Sequence, residues 1–272
     1  YIYTGKLVSN GNSNSEMKIN YLGNGLIPGT TMKLKSANAE KEMQYNIGDR
    51  LKITGTSGKY ITVITDVPTQ SKSITFPFVA CTDIDDRNYS VVKLGTQTWM
   101  AENLAYLPKV SPPTAGSSTE PFYYVYGYDG INVPEAKLTK NYATYGVLYN
   151  WQAAKTSCPS GWHLPSDEEW TTLTTFLGGE SEVGGKMKET GTTHFYEPNT
   201  DATNSSGFSG MPGGGRDYHG GFFNIGRFGV WWSSTESSST FAWHRTLDYN
   251  WNGIGHPTYY KMDGYSVRCI KD

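Results

Sequence analysis

The sequence predicts an α+β fold in which two helices and short antiparallel strands follow a small all-β, sandwich-like domain. Over residues 1–82, apolar and polar side chains alternate with a period of two, as they do in half-buried strands. Over residues 158–179, apolar residues recur at helical spacing behind a helix-start signal. We therefore divide the chain into two predicted domains, residues 1–82 and residues 83–272.

The first predicted domain consists of short strands at residues 17–22, 51–54, 60–64 and 74–79. Turns rich in glycine and proline, among them those at 23–25 and 28–29, separate the strands. The acidic residues of this part are scattered among lysines, and it contains no histidine. We interpret it as a β-rich stalk or assembly domain rather than a catalytic one.

The second predicted domain opens with a hairpin at residues 89–100 and continues with two helices. The first helix is predicted at residues 142–154. The second begins at Ser166, because Glu169 stands at the capping-box spacing, and Gly178 ends it. Its buried stripe is predicted to be Trp170, Leu173, Phe176 and Leu177. Later strands are predicted at 207–212, 230–236, 241–249 and 265–270.

The composition excludes several classes of partner. With 23 basic and 25 acidic residues, the chain lacks the basic excess of a nucleic-acid-binding protein. It contains no run of about 18 apolar residues, so we predict no transmembrane segment. It begins at Tyr1 without a signal-peptide pattern, as expected of a processed or trimmed chain. Its three cysteines lack metal-binding spacing, and we expect neither a metal nor a cofactor.

Two glycine-rich loops carry the candidate ligand-binding residues. Such loops on a rigid scaffold are where recognition residues concentrate, and 20 Tyr and 8 Trp supply amphipathic rings. The alternative is that the glycines of loop 213–229 merely permit chain reversals. A tyrosine-rich insertion at 106–141 is expected to pack on the domain or to present rings to a ligand. The candidate residues are Arg216, Asp217, Tyr218, His219, Arg227, Trp251 and His256. Five of them are expected on one accessible face: Arg216, Tyr218, His219, Trp251 and His256.

The chain lacks the common hydrolase signatures. Neither HExxH nor GxSxG occurs, and the five histidines stand apart in the sequence. A catalytic carboxylate pair among Asp217, Glu236 and Asp248 would require these residues to converge in the fold. We predict that the protein is not an enzyme.

Seven ordered sequence blocks carry a resemblance to a known family. They are DIDDRNYSVVKLGTQTWMAENL, YGVLYNWQAA, CPSGWHLPSDEEW, GGKMKETG, ATNSSGFSGMPGGGRD, GRFGVWWSSTE and YSVRCIKD. Together they resemble the Fibrobacter succinogenes major paralogous domain, which occurs in Bacteroidetes and Fibrobacteres. The resemblance covers about two thirds of the chain and implies a C-type lectin-like fold in an exported protein.

The resemblance also implies roles for the cysteines. In the C-type lectin-like fold a long-range disulfide joins the central helix region to the last strand, so Cys158 and Cys269 are expected to pair and Cys81 to remain free. The related formylglycine-generating enzymes use a reactive cysteine pair near the C-terminal part of the fold. Here that region holds Cys269 alone, which disfavours such a catalyst.

These observations together predict an exported cell-surface recognition or adhesion module that binds a glycan or a protein. Binding is expected to be independent of calcium, because Glu197-Pro-Asn199, which matches the sugar-binding tripeptide of C-type lectins, stands before the strand that it should follow. The alternative is a structural or fimbrial-tip assembly component. A catalyst like the formylglycine-generating enzymes is the third and weakest hypothesis.

Overall fold

The computed structural model describes residues 2–5, 15–22, 32–35, 41–44, 47–70 and 74–272. The turns predicted at 23–25 and 28–29 lie outside these residues. The first eight strands are β1 Ile2–Gly5, β2 Ser15–Tyr21, β3 Met32–Lys35, β4 Lys41–Gln44, β5 Leu51–Ser57, β6 Tyr60–Asp66, β7 Ser90–Leu94 and β8 Gln97–Met100.

The remaining elements lie between residues 123 and 271. The strands are β9 Tyr123–Tyr124, β10 Leu148–Tyr149, β11 Trp162–His163, β12 Gly215–Arg216, β13 Phe222–Phe223, β14 Phe228–Glu236, β15 Phe241–Asp248, β16 Thr258–Tyr260 and β17 Ile270–Lys271. The helices are α1 Val133–Leu138, α2 Lys140–Tyr145, α3 Trp151–Thr156, α4 Asp167–Phe176 and α5 Val183–Met187.

The largest sheet has eight strands in the order β11-β17-β8-β7-β6-β5-β2-β3. Strand β5 shows the predicted period-two pattern, because Leu51 and Ile53 are both buried on one face of the sheet. Strand β6 pairs in parallel with β7, so the sheet runs without a break from the N-terminal strands into the rest of the chain. The domain boundary between residues 82 and 83 stays a prediction.

Helix α4 forms where the capping box predicts it. The Ser166 hydroxyl accepts from the Glu169 amide, and the Glu169 carboxylate accepts from the Ser166 amide. Trp170 packs on Trp99 at 4.7 Å between ring centroids, in a core that also contains Leu173 and Leu177. Phe176 differs from its prediction, because it projects to the surface beside Gly95.

The C-terminal segment 264–271 joins the large sheet to the three-stranded sheet β14-β15-β16. Tyr265 forms a bridge with Tyr149, and Ser266 forms one with Trp231 of β14. Farther along, the Cys269 carbonyl accepts from the Met100 amide, and Ile270 pairs with Trp99 of β8. Each sheet therefore contacts the same short stretch of backbone.

The predicted C-type lectin-like α+β fold with two helices is wrong. Strands dominate the described residues, whereas the five helices have five to ten residues each. The helix predicted at 142–154 is broken at Gly146, which has a φ of +77° and lies so close to the Leu104 carbonyl that a Cβ would be 2.6 Å from its oxygen. Strands β2, β3, β5 and β6 likewise share a sheet with β7 and β8 instead of forming a separate sandwich, and β1 pairs with β4 in a two-stranded sheet. Residues 74–79, predicted as a strand, form none.

Cys158 and Cys269 form a disulfide with Cα atoms 5.9 Å apart, and Cys81 is a buried free thiol. This is the pairing that the family resemblance implies. The bond fixes the loop before α4 to the C-terminal segment, which already lies between the two sheets.

We predict that replacing both bonded cysteines, Cys158→Ser with Cys269→Ser, lowers the free energy of unfolding by about 3–5 kcal/mol. The bond closes a loop with a sequence separation of 111 residues, so its loss frees the unfolded chain to explore many more conformations. Urea unfolding of the oxidised protein and the variant measures the difference. The control is Cys81→Ala, expected to cost about 1 kcal/mol. Equal stability of the double variant and the parent would contradict the pairing.

Candidate ligand-binding face

Arg216 does not reach the surface, which corrects its predicted place on an accessible face. Its side chain is 0% exposed, and the guanidinium stacks on Tyr124 at 4.6 Å from the ring centroid. It donates to the carbonyl oxygens of Pro113, Ala115 and Met262. These bonds fix the start of the 106–141 insertion to the body of the protein. Arg216 is therefore a structural residue.

Strands β15 and β16 place three large rings on one face of their sheet. Phe241 and Trp243 alternate along β15 and so point to the same side. Phe241 pairs with Tyr260 of β16, and Trp243 pairs with Thr258, and directly paired residues share a face. The Phe241 and Tyr260 rings are 4.6 Å apart. All three rings are half-buried, so part of each remains open to solvent.

The turn after β12 extends this face. Tyr218 packs on Tyr260 with 4.6 Å between ring centroids, and His219 lies 3.9 Å from Tyr218. The Asp217 carboxylate accepts from the amides of His219 and Gly221, which holds the turn in shape. Tyr218 is 40% exposed, and His219 is also exposed. Tyr218 and His219 thus lie at one end of this face, beside Asp217.

His256 lies at the other end of this face. Its ring lies 4.4 Å from that of Trp243, and its Nε2 is 2.6 Å from the Asp167 carboxylate at the start of α4. Asp167 is held in turn by the fully buried Arg245, whose Nη1 is 2.7 Å from it. We call the set of rings along this face the aromatic row. Its members are His219, Tyr218, Tyr260, Phe241, Trp243 and His256.

Arg227 and Trp251 lie away from the aromatic row. The exposed Arg227 guanidinium stacks on Tyr249, and β14 begins beside it at Phe228, which pairs with Asp248 at the end of β15. The Trp251 carbonyl and the Asp248 carbonyl both accept from Lys188, and the Trp251 ring is 45% exposed. From Phe241 to Asp248 the strand extends about 23 Å at about 3.3 Å per residue. Of the five residues expected on one accessible face, Arg216 is thus buried and Trp251 lies away from the other three.

Three members of the aromatic row, Phe241, Trp243 and Tyr260, are not among the candidate residues predicted from the sequence. The sequence of residues 230–236 and 241–249 predicts paired central strands with alternating faces. The missing information was the register with β16, because only the pairing of Phe241 with Tyr260 shows which rings meet.

With the geometry established, comparison with known proteins identifies the family. The family model of the Fibrobacter succinogenes major domain matches residues 92–271. The chain belongs to this family. No curated protein and no solved structure matches the chain. The matched region of this Fibrobacter succinogenes major domain contains the aromatic row, Arg216 and both bonded cysteines.

Beneath the turn of the aromatic row, the domain buries an acidic residue. Asp263 is 0% exposed, one of its carboxylate oxygens accepts from the Tyr265 hydroxyl at 3.0 Å, and the other has no hydrogen-bond partner. Burial raises the pKa of Asp263 to about 7, although the Tyr265 hydrogen bond and the charge of Arg216 act in the opposite direction. The carboxyl group therefore titrates near neutral pH.

We predict that Asp263 makes the protein less stable as the pH rises from about 4 to about 7. Its pKa is higher in the folded state than the ordinary value of 3.8, so folding favours the protonated form, and the penalty for ionisation grows until the folded group titrates. Asp263→Asn removes the titration. The free energy of unfolding of the variant relative to the parent should rise by about 2–4 kcal/mol across this range.

Urea unfolding at each pH from 4 to 8 measures the difference, and other titrating groups cancel in the comparison. The exposed Asp129→Asn substitution is the matched control and should leave the pH profile unchanged. A constant difference between Asp263→Asn and the parent over this range would refute the shifted pKa.

Proposed function

We propose that this protein is an exported recognition module that binds a glycan through the aromatic row, without catalysis and without calcium. The main support for the proposal is the aromatic row, in which six ring side chains follow one another in space along one partly exposed face. Ring faces stack on the C–H groups of sugars, and their polar edges bond hydroxyl groups. Asp217, His219 and His256 supply such polar groups at the two ends.

Rigidity supports the same function. Phe241, Trp243 and Tyr260 stand on paired strands, and the Asp217 turn is fixed by its own hydrogen bonds. Arg245, fully buried, holds Asp167, whose carboxylate lies 2.6 Å from the His256 Nε2. Because the rings are already ordered, little side-chain entropy is lost when a ligand covers them.

Export is supported by the Cys158–Cys269 disulfide, since such bonds persist in oxidising compartments. Among the described residues, no helix is long and apolar enough to span a membrane. Attachment to the cell surface is part of the proposal.

Calcium independence is supported by how the candidate ligands are used. Asn199 is buried, and its amide donates to the carbonyl oxygens of Glu189 and Gly191. The Asp83 carboxylate accepts from the amides of Asp85 and Arg87 and from the Tyr89 hydroxyl. The Asp83 carboxylate is therefore engaged within the protein, and the Asn199 side-chain oxygen has no hydrogen-bond partner but is buried away from solvent.

The separation of Glu236 from Asp248 supports a function without catalysis. Glu236 lies opposite Ala242 near the start of β15, whereas Asp248 ends that strand. The intervening strand separates the two by about 20 Å, beyond the roughly 5–10 Å of paired catalytic carboxylates. Cys269, the cysteine in the region of the formylglycine-generating site, is bonded to Cys158.

We predict that Trp243→Ala and Tyr260→Ala each weaken glycan binding at least tenfold, because each removes a stacking surface worth about 1.4 kcal/mol or more. A panel of immobilised glycans, probed with the whole chain, identifies a ligand, and titration then gives the affinities. The matched control is Tyr196→Ala. This ring is 55% exposed and packs on Tyr249 away from the aromatic row, so binding should change less than twofold. Unfolding midpoints show whether each variant is folded.

The panel is repeated with EDTA, which should leave binding unchanged. Loss of binding in EDTA would contradict calcium independence. Capture of a protein in place of any glycan, with the same dependence on Trp243 and Tyr260, would replace the glycan by a protein ligand. In cells, loss of surface assembly in the Trp243 variant, as opposed to loss of adhesion alone, would favour the structural or fimbrial-tip role.

A further inference from the structure

The charged groups that contact the aromatic row define its preference for ligands. Three carboxylates lie against it. Asp217 bonds the His219 amide at one end. At the other end Asp167 is 2.6 Å from the His256 Nε2, and Glu180 is 3.8 Å from the His256 Nδ1. The Glu180 side chain is 49% exposed, so its charge faces solvent beside the row.

The guanidinium groups near the aromatic row are buried and already bonded. Arg245 is fully buried and pairs with Asp167. Arg216, adjacent in sequence to Asp217, is also fully buried, and its guanidinium donates to three carbonyl oxygens. Neither can turn outward to meet a ligand without breaking hydrogen bonds in the interior. A carboxylate or sulfate group of a ligand on the row would thus be repelled by exposed negative charge. It could not form an ion pair with either of these two arginines.

We propose that the ligand of the aromatic row is a neutral glycan, one without carboxylate, sulfate or phosphate groups. This inference rests on the proposed function and adds the class of sugar. Recognition of acidic groups in proteins depends on accessible Arg or Lys that form charge-assisted hydrogen bonds. The surroundings of the row instead offer carboxylates, which accept hydrogen bonds from neutral sugar hydroxyl groups. Like charges placed side by side oppose binding and so exclude acidic sugars.

The test compares a neutral glycan with the same glycan carrying carboxylates at C6. Neutral hexasaccharides of the mannan, xylan, β-glucan and galactan types are titrated against the whole chain. The tightest hexose ligand is then oxidised at C6 to carry carboxylates. The oxidised form should bind at least tenfold more weakly in 50 mM salt, and the difference should narrow in 500 mM salt because screening weakens the repulsion.

Removing one charge beside the aromatic row tests whether the weaker binding of the oxidised glycan arises there. Glu180→Gln should raise the affinity for the oxidised glycan about threefold or more relative to the affinity for the neutral form. Asp129→Asn, which removes an exposed negative charge in the 106–141 insertion, should change neither. Equal effects of the two substitutions would overturn the assignment to the row, as would the absence of any effect of Glu180→Gln.

The outcomes separate this inference from the proposed function. If the oxidised glycan binds as tightly as the neutral one or more tightly, and Trp243→Ala weakens both, the neutral preference is overturned while glycan binding by the row stands. If Trp243→Ala and Tyr260→Ala leave binding of both forms unchanged, the proposed function fails. If no hexasaccharide and no oxidised form binds, both fail.

Discussion

The buried contact between Arg268 and Asn103 holds together the two sheets on which the rest of the structure depends. The Asn103 side-chain oxygen accepts from Arg268 Nε and from the Trp231 indole of β14. The Arg268 guanidinium also donates to the carbonyl oxygens of Phe208 and Ser209 and stacks on the Phe208 ring. A buried charge is costly unless its donors are satisfied, so these partners must be in place when the chain folds. The network therefore fixes segment 264–271 between the sheets.

This constraint reaches the aromatic row through β14. Trp231 is bonded to Asn103 and lies opposite Arg245 in β15, so β15 is held in a fixed relation to the large sheet. The Arg245 guanidinium in turn forms an ion pair with the Asp167 carboxylate, which lies 2.6 Å from the His256 Nε2. The half-exposed rings are thus the open edge of a rigid unit, whose opposite side is the core around Trp232 and Tyr265. That arrangement is suited to binding a ligand without rearrangement.

The elements that were predicted correctly from the sequence are those that depend on neighbouring residues alone. The capping box of α4 and the alternation of β5 need no distant partner, and both are present in the structure. The helix predicted at 142–154 failed because Gly146 approaches the Leu104 backbone, a contact that sequence periodicity does not contain. The predicted surface position of Arg216 is wrong for the same reason. Its hydrogen-bond partners, the carbonyl groups of Pro113, Ala115 and Met262, are distant in sequence. The aromatic row depends on strand register and was missed in part.

The most direct test of the account is a map of the bound ligand on the ¹⁵N-labelled protein by nuclear magnetic resonance, using the glycan that binds tightest. We expect the largest chemical-shift changes at the Trp243 indole and at the amides of 217–219, 241–243, 256 and 258–260. The signals of 194–196, 227 and 249, which belong to the rings around Tyr196 and Arg227, should remain in place. Saturable binding that shifts this second set and leaves the Trp243 indole unchanged would contradict the assignment of the aromatic row as the binding surface.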